Sequence, residues 1–405
     1  MSVDPRKRLL PMLLLAALTT AAAPARADDA FARCLANLQP AAQAAGVSAS
    51  TWREHTAGLA PDPSVLERLD FQPEFRIPIW DYLAGLVDDE RVADGRARLA
   101  EHGRTLAEVE RRFGVDPATV VAVWGVESDF GRSRGRYPIV QSLATLSCAG
   151  RRQPFFRGEL FATLRIVQGG HLAPDQLIGS WAGAFGQTQF MPSTYERLAV
   201  DFDGDGRRDL VASIPDALAS TAHFLQRAGW RTGEPWGFEV RLPAGLDLNG
   251  EGRRVKRPLS AWTARGVRRA DGSPLARDGL GADARAGLLA PAGAAGPAFL
   301  VLRNFDAIYS YNAAESYGLA IAHLADRLRG GAPFVAPWPT DDPGLSRAER
   351  RELQRLLIAR GHDIGEVDGM LGERSRAAIR AEQQRLGQEP TGRAGQKLLA
   401  ALRGG

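Results

Sequence analysis

Four prolines, Pro333, Pro337, Pro339 and Pro343, fall within residues 330–344 of the 405-residue chain. Proline fixes its own φ and has no N–H to donate, so no helix runs through such a stretch, and its composition favours an extended connection. The expected boundaries are a leader at 1–27, a large body at 28–332, a linker at 333–344 and a small C-terminal unit at 345–405. A length prior of about 150 residues per domain also suggests two or three domains.

Within the body, residues 28–329 repeat apolar positions at helical spacing, with Pro or Gly at the breaks. Between 236 and 299 that signal gives way to a mixture of Gly, Pro, Ala and Arg. There Phe238-Glu239-Val240-Arg241-Leu242 alternates like a strand. The fold class expected is mainly α: an α+β body with a small β-containing lobe, followed by a three-helix C-terminal domain. Two of those last helices should cover 346–360 and 374–387, and so small a unit suits a binding module better than an enzyme.

The first residues read as an export signal. Arg6, Lys7 and Arg8 form a basic start, 9–23 an apolar stretch, and Ala25-Arg26-Ala27 a small-x-small cleavage site. The alternative is a membrane anchor, but the apolar run is shorter than the ~20 residues a spanning helix needs. No cysteine stands at the cleavage point, so a lipoprotein is not expected. Removing 1–27 takes away four bases and one acid, which brings the formal charge of +4 down to +1. So balanced a surface argues against nucleic acid as partner. Export also places Cys34 and Cys148 where disulfides persist. One bridge or two separately buried thiols are both open.

Asp116-Pro117 is a helix start, an N-cap followed by proline at the first helical position. In the helix that follows, Val120, Val123, Trp124 and Glu127 stand at i, i+3, i+4 and i+7, which puts a carboxylate on the apolar stripe. Two outcomes are open for it: a buried structural ion pair, or a general acid kept protonated by desolvation. Ser128-Asp129-Phe130-Gly131 ends the helix and would set Glu127 at the lip of a cleft.

The segment Gly125-Val126-Glu127-Ser128-Asp129-Phe130-Gly131 resembles the catalytic motif of the membrane-bound and soluble lytic transglycosylase B family, which has a lysozyme-like domain. The resemblance continues through Gln141-Ser142-Leu143-Ala144-Thr145-Leu146, through Phe155-Phe156-Arg157-Gly158-Glu159-Leu160, and through 179–193 from Gly179-Ser180-Trp181 to Met191-Pro192-Ser193. It resumes at Asn304-Phe305, Ala307-Ile308 and Tyr311-Asn312, and so spans residues 31–329. It implies a periplasmic enzyme that cleaves the MurNAc-β-1,4-GlcNAc bond of peptidoglycan and leaves 1,6-anhydro-MurNAc ends. Glu127 would act alone, first as acid and then as base toward the sugar's own C6 hydroxyl, where an ordinary glycosidase uses two carboxylates.

By the same resemblance Ser180 hydrogen-bonds near the acid and Gln189 orients the N-acetyl group. Tyr311, Asn312 and Tyr317 line the cleft, with core packing as the alternative for each. Arg151 and Arg152 face wall carboxylates or form a solvated pair. Phe224 stands where some members have a cleft tyrosine. No cofactor is expected for catalysis. The rival readings are a hydrolytic muramidase on the same fold, which would need a base to activate water, and an idle wall-binding or scaffolding protein.

Residues 201–209 place Asp201, Asp203, Asp205, Arg207 and Asp209 at alternate positions, with Gly206 sixth, as in an EF-hand loop. Ala212 holds the twelfth position where a bidentate glutamate belongs. The family's variant loop implies that Asp216 replaces it, beside Asp201, Asp203, Asp205 and the Arg207 carbonyl, around a structural Ca2+. The alternative is an Asp-Gly turn that binds nothing.

After the linker, Leu353-Gln354, Gly361-His362, 367–372 and Ala377-Ala378-Ile379 with Gln383 resemble the peptidoglycan-binding-domain-1 family over 345–402. That implies a module holding the enzyme on an insoluble wall. The implied partners are peptidoglycan glycan strands and other cell-wall enzymes, for a monomer without a stable membrane span.

Overall fold

The computed structural model describes residues 23–69, 77–277 and 279–404. Residues 1–22, which hold most of the expected leader, lie outside the described residues. Among those described, no helix is long and apolar enough to cross a membrane.

Two apolar cores make up the helical body. One surrounds the helix Pro117–Ser128 and takes in helix Glu315–Leu328 with Phe299, Phe305 and Trp236. The other joins helix Ala23–Ala44 to helices Ile139–Cys148 and Gln153–Gln168 through Leu35, Ile139, Leu143 and Leu160. Cys34 and Cys148 form a disulfide within this second core. Phe224 and Tyr311 pack against both cores, so they mark the seam between them.

The lobe is a five-stranded antiparallel sheet in the order Arg257–Pro258, Arg285–Leu289, Ala298–Val301, Gly237–Arg241, Arg268–Arg269. All four residues of Ala298–Val301 are buried. Strand alternation explains this: Ala298 and Leu300 face the lobe's own core, while Phe299 and Val301 face the body. The lobe is thereby sealed to the body.

The proline-rich segment carries no helix, as its composition predicts, but it does not hang free. Glu239 accepts the N–H groups of Val335 and Ala336, both at 2.7 Å. The Phe334 ring stacks on His323 at 3.7 Å, and Trp338 reaches Trp80 at 6.4 Å. The segment is a strap along the body.

The C-terminal unit has the three expected helices, Arg347–Ala359, Glu373–Arg385 and Gln396–Arg403, around Leu353, Leu357, Ile379 and Leu399. Ser346 caps the first, and Glu349 completes a capping box. Buried Gln354 ties the turn-rich segment to this helix, accepting the Gly369 N–H at 2.7 Å and donating to Asp368 at 3.0 Å.

Candidate active site

Asp116 caps the helix Pro117–Ser128, accepting the Thr119 N–H at 3.1 Å, and Pro117 opens it as the sequence predicts. The expected one-sided stripe is not what the structure shows. Residues 118–125 are all buried, so the helix has no solvated face until Val126 and Glu127, which are half-buried. Val121 and Ala122, off the stripe, are as apolar as the residues on it, and a helix apolar all round belongs inside a core. Its glycine has a cause as well, since a Cβ on Gly125 would lie 2.8 Å from the Phe130 ring.

Three successive left-handed residues, Asp129, Phe130 and Gly131, stop the helix beside Glu127. Gly131 cannot be replaced cheaply, because its φ of 85 strains any other residue and a Cβ there would press on the Gln187 amide oxygen. That oxygen also accepts from the Trp124 indole at 3.0 Å, and the Ser128 hydroxyl donates to the Gln187 carbonyl at 2.5 Å. Gln187 and Ser128 therefore bolt the helix Pro117–Ser128 to the loop 179–193. Both lie inside the quoted motifs, yet side-chain type and spacing gave no hint of this role.

Tyr317, on helix Glu315–Leu328, donates its hydroxyl to Glu127 Oε1. The Tyr311 ring stacks on it at 6.4 Å, and the Tyr311 hydroxyl donates to Thr188 O at 2.7 Å. Burial first, and the charge of Glu127 second, push both hydroxyls well above the usual tyrosine range. They are donors at any working pH. Phe224 lies 4.5 Å from Tyr311 and 6.1 Å from Phe190, so it adds a ring to this aromatic wall and no hydroxyl.

Gln189, left-handed at φ 50, donates to Gly186 O at 2.9 Å and Arg134 O at 3.2 Å, which fixes its amide plane. Ser180 accepts the Ala184 N–H at 3.0 Å and closes its own turn, leaving the hydroxyl proton to donate. Asn312 is exposed and not a core residue. Arg151 and Arg152 are also exposed: Arg151 donates to the Leu69 carbonyl, and Arg152 lies over the Phe155 ring at 4.6 Å. Two concave pockets, of about 410 and 480 Å³, lie against Trp80 and Trp338 and against Trp230 and Trp236. Glu127 lines neither.

In the acidic loop, Asp201, Asp203 and Asp205 offer oxygens within 4.8 Å of one another. Asp216 stands beside this group of three. It sits in the first turn of helix Ile214–Arg227, and its carboxylate accepts the N–H groups of Phe202 at 2.7 Å and Asp209 at 2.8 Å. These bonds hold the loop's shape. The Arg207 guanidinium donates to His171 O at 3.1 Å.

A body with a half-buried glutamate braced by a tyrosine, at the end of a helix bolted to a glycine-rich loop, defines a class. Residues 30–326 match the transglycosylase SLT domain, and the chain belongs to that family. Residues 346–402 match a peptidoglycan binding domain. Among curated proteins the chain is similar to membrane-bound lytic murein transglycosylase B of Escherichia coli (strain K12), 32% identical over 247 residues, covering 60% of this chain and 65% of that protein, just under two thirds. Among solved structures it is similar to SltB3 from Pseudomonas aeruginosa in complex with NAG-anhNAM-pentapeptide, at 49% identity and TM-score 0.74, covering 92% of this chain and 99% of that one. It is also similar to the Escherichia coli lytic transglycosylase SLT35 in complex with calcium, at 29% identity and TM-score 0.63, covering 75% and 93%.

Proposed function

We propose that this chain is a periplasmic lytic transglycosylase that cleaves the MurNAc-β-1,4-GlcNAc bond of peptidoglycan and closes a 1,6-anhydro ring on the muramic sugar. The observation that carries this is Glu127, half-buried at the end of a buried helix with Oε1 held by Tyr317. That hydrogen bond aims the carboxyl group that faces the glycosidic bond. The protonated carboxyl gives its proton to the leaving oxygen. The resulting carboxylate then takes the proton of the C6 hydroxyl as that oxygen attacks C1. Both steps use one group in two states, and the second needs no water.

Gln189, with its amide plane fixed, orients the N-acetyl group, and Ser180, Tyr311 and Asn312 line the groove. Arg151 and Arg152 offer exposed charge to stem-peptide or lactyl carboxylates. The domains are a leader at 1–27, a catalytic domain at 28–332, a linker at 333–344 and a wall-binding domain at 345–405. The solution state is a monomer, with peptidoglycan strands and other cell-wall enzymes as partners.

The acidic loop suits Ca2+, an oxygen-seeking ion, through Asp201, Asp203, Asp205 and the Arg207 carbonyl, with Asp216 as a further carboxylate ligand. Such an ion would stiffen the loop and has no part in bond cleavage. Calcium should raise the melting temperature and a chelator lower it; an unchanged melt removes the metal.

The reading as a whole is tested by mass spectrometry of muropeptides released from purified sacculi. The unaltered protein should release anhydro products, and Glu127→Gln should lower that release by about a hundredfold or more. Reducing-end products would instead mark a hydrolase.

A further inference from the structure

Asp129, which ends the acid helix, is held from the other end of the chain. Its Oδ1 accepts from Arg347 of the C-terminal unit at 2.5 Å. Arg347 is almost wholly buried, 9% exposed at its side chain, and also lies 3.4 Å from Asp88 and 3.2 Å from Asp94. Arg91 reaches the same Asp129 oxygen at 3.5 Å and donates to the Gly125 carbonyl, in the last turn of the acid helix, at 2.5 Å. Arg132 closes the cluster on Asp94 and Asp129. Three guanidinium groups thus face three carboxylates, and only one of the six comes from the C-terminal unit.

Asp88 adds a second tie. One oxygen caps helix Asp89–Glu101 through the Arg91 N–H at 2.7 Å, and the other accepts the Arg347 N–H at 3.1 Å. A single carboxylate therefore serves the starts of two helices on opposite sides of the junction.

We propose that Arg347 is a positioning residue for the reaction: the C-terminal unit sets the end of the acid helix, and with it Glu127, rather than serving only as a tethered anchor. Without Arg347 the cluster keeps three carboxylates against two bases, and the imbalance falls on its buried side, where Asp88 and Arg91 are each 6% exposed. Asp129 then loses its shortest partner and Arg91 is drawn off the Gly125 carbonyl. The helix end and the glutamate two residues before Asp129 shift, and displacements of about 1 Å at a reacting group cost about a hundredfold in rate.

The inference rests on the transglycosylase reading, and the test separates the two. The full-length protein is assayed on a soluble, uncrosslinked muramic-glucosaminic tetrasaccharide, for which wall anchoring is irrelevant. Arg347→Ala should lower kcat about ten- to a hundredfold with KM within about twofold, and Asp129→Asn should show the same split. Arg347→Lys, which restores the charge but not the fork, should recover part of the loss. Arg351→Ala, at an exposed pair with Glu90 at the same junction, should leave both constants unchanged.

Arg347→Ala that melts lower but keeps kcat would make Arg347 a structural staple and overturn the proposal. So would a rise in KM alone, or a loss that Lys does not relieve at all. No anhydro product from the unaltered protein would overturn the transglycosylase reading, and this inference with it.

Discussion

Tyr317 is 2% exposed, and burial ahead of the Glu127 charge keeps its hydroxyl protonated far into the alkaline range. It cannot serve as a base, so in the proposed mechanism its use lies in aiming the Glu127 carboxyl and in favouring the ionised form that the second step would need. Tyr317→Phe keeps the ring and its packing and removes only the donor. The expected result is a fall in kcat of about tenfold or more, with the alkaline limb of the kcat/KM profile, where the acid loses the proton it must donate, moved to higher pH. An unmoved limb would mean that the bond seen here does not persist with substrate bound. At this scale the sequence was informative about Glu127, because a carboxylate among Val120, Val123 and Trp124 demands an explanation. It was silent about the brace, since Tyr317 lies 190 residues away and a tyrosine on an apolar helix face reads equally well as core.

Elements with local causes were legible. Asp116-Pro117 marks its helix start, the alternation at 238–242 marks a strand, and the prolines forbid a helix at 330–344. What local pattern cannot show is what an element lies against: the acid helix is covered on every side, and the strap is docked by Glu239, His323 and Trp80. The strap has a consequence for pH. His323 is buried beneath Phe334, and burial, followed by the charge of Arg327, lowers its pKa from 6.5 to about 3. Above 6.5 it is neutral both folded and unfolded, and contributes no pH dependence. As the pH falls below 6.5 the unfolded chain gains a proton that the folded one refuses, so stability declines by up to about 1.4 kcal/mol per pH unit until the folded group itself titrates. Urea unfolding at about pH 7.5 and about pH 5 should therefore show the unaltered protein losing up to about 2 kcal/mol more than His323→Phe. Equal losses would place the proton acceptor elsewhere.

The whole molecule is held as one piece by contacts that run across the chain. Arg393, in the C-terminal unit, grips both Asp81 oxygens, at 2.6 and 2.8 Å, across 312 residues, and also bonds Asp342 at the end of the strap. Composition suggested two bodies on a linker, and nothing in the spacing of Arg393 or Asp81 signals a partner so remote. Yet Asp81 is 8% exposed on helix Ile79–Leu86, where a lone carboxylate would be costly. The C-terminal unit both covers it and supplies its paired charge through Arg393, so the junction buries the carboxylate and its partner together. Arg393→Ala leaves Asp81 without its bidentate partner, and the partial exposure of Arg393 holds the expected cost to about 1–3 kcal/mol. That cost falls on docking and not on either core, so calorimetry should change from one cooperative transition in the unaltered protein to a lower, separate transition for the C-terminal unit in the variant. Two transitions already present in the unaltered protein would show that the units melt independently and that the junction is too weak to transmit position from Arg347 to the acid helix.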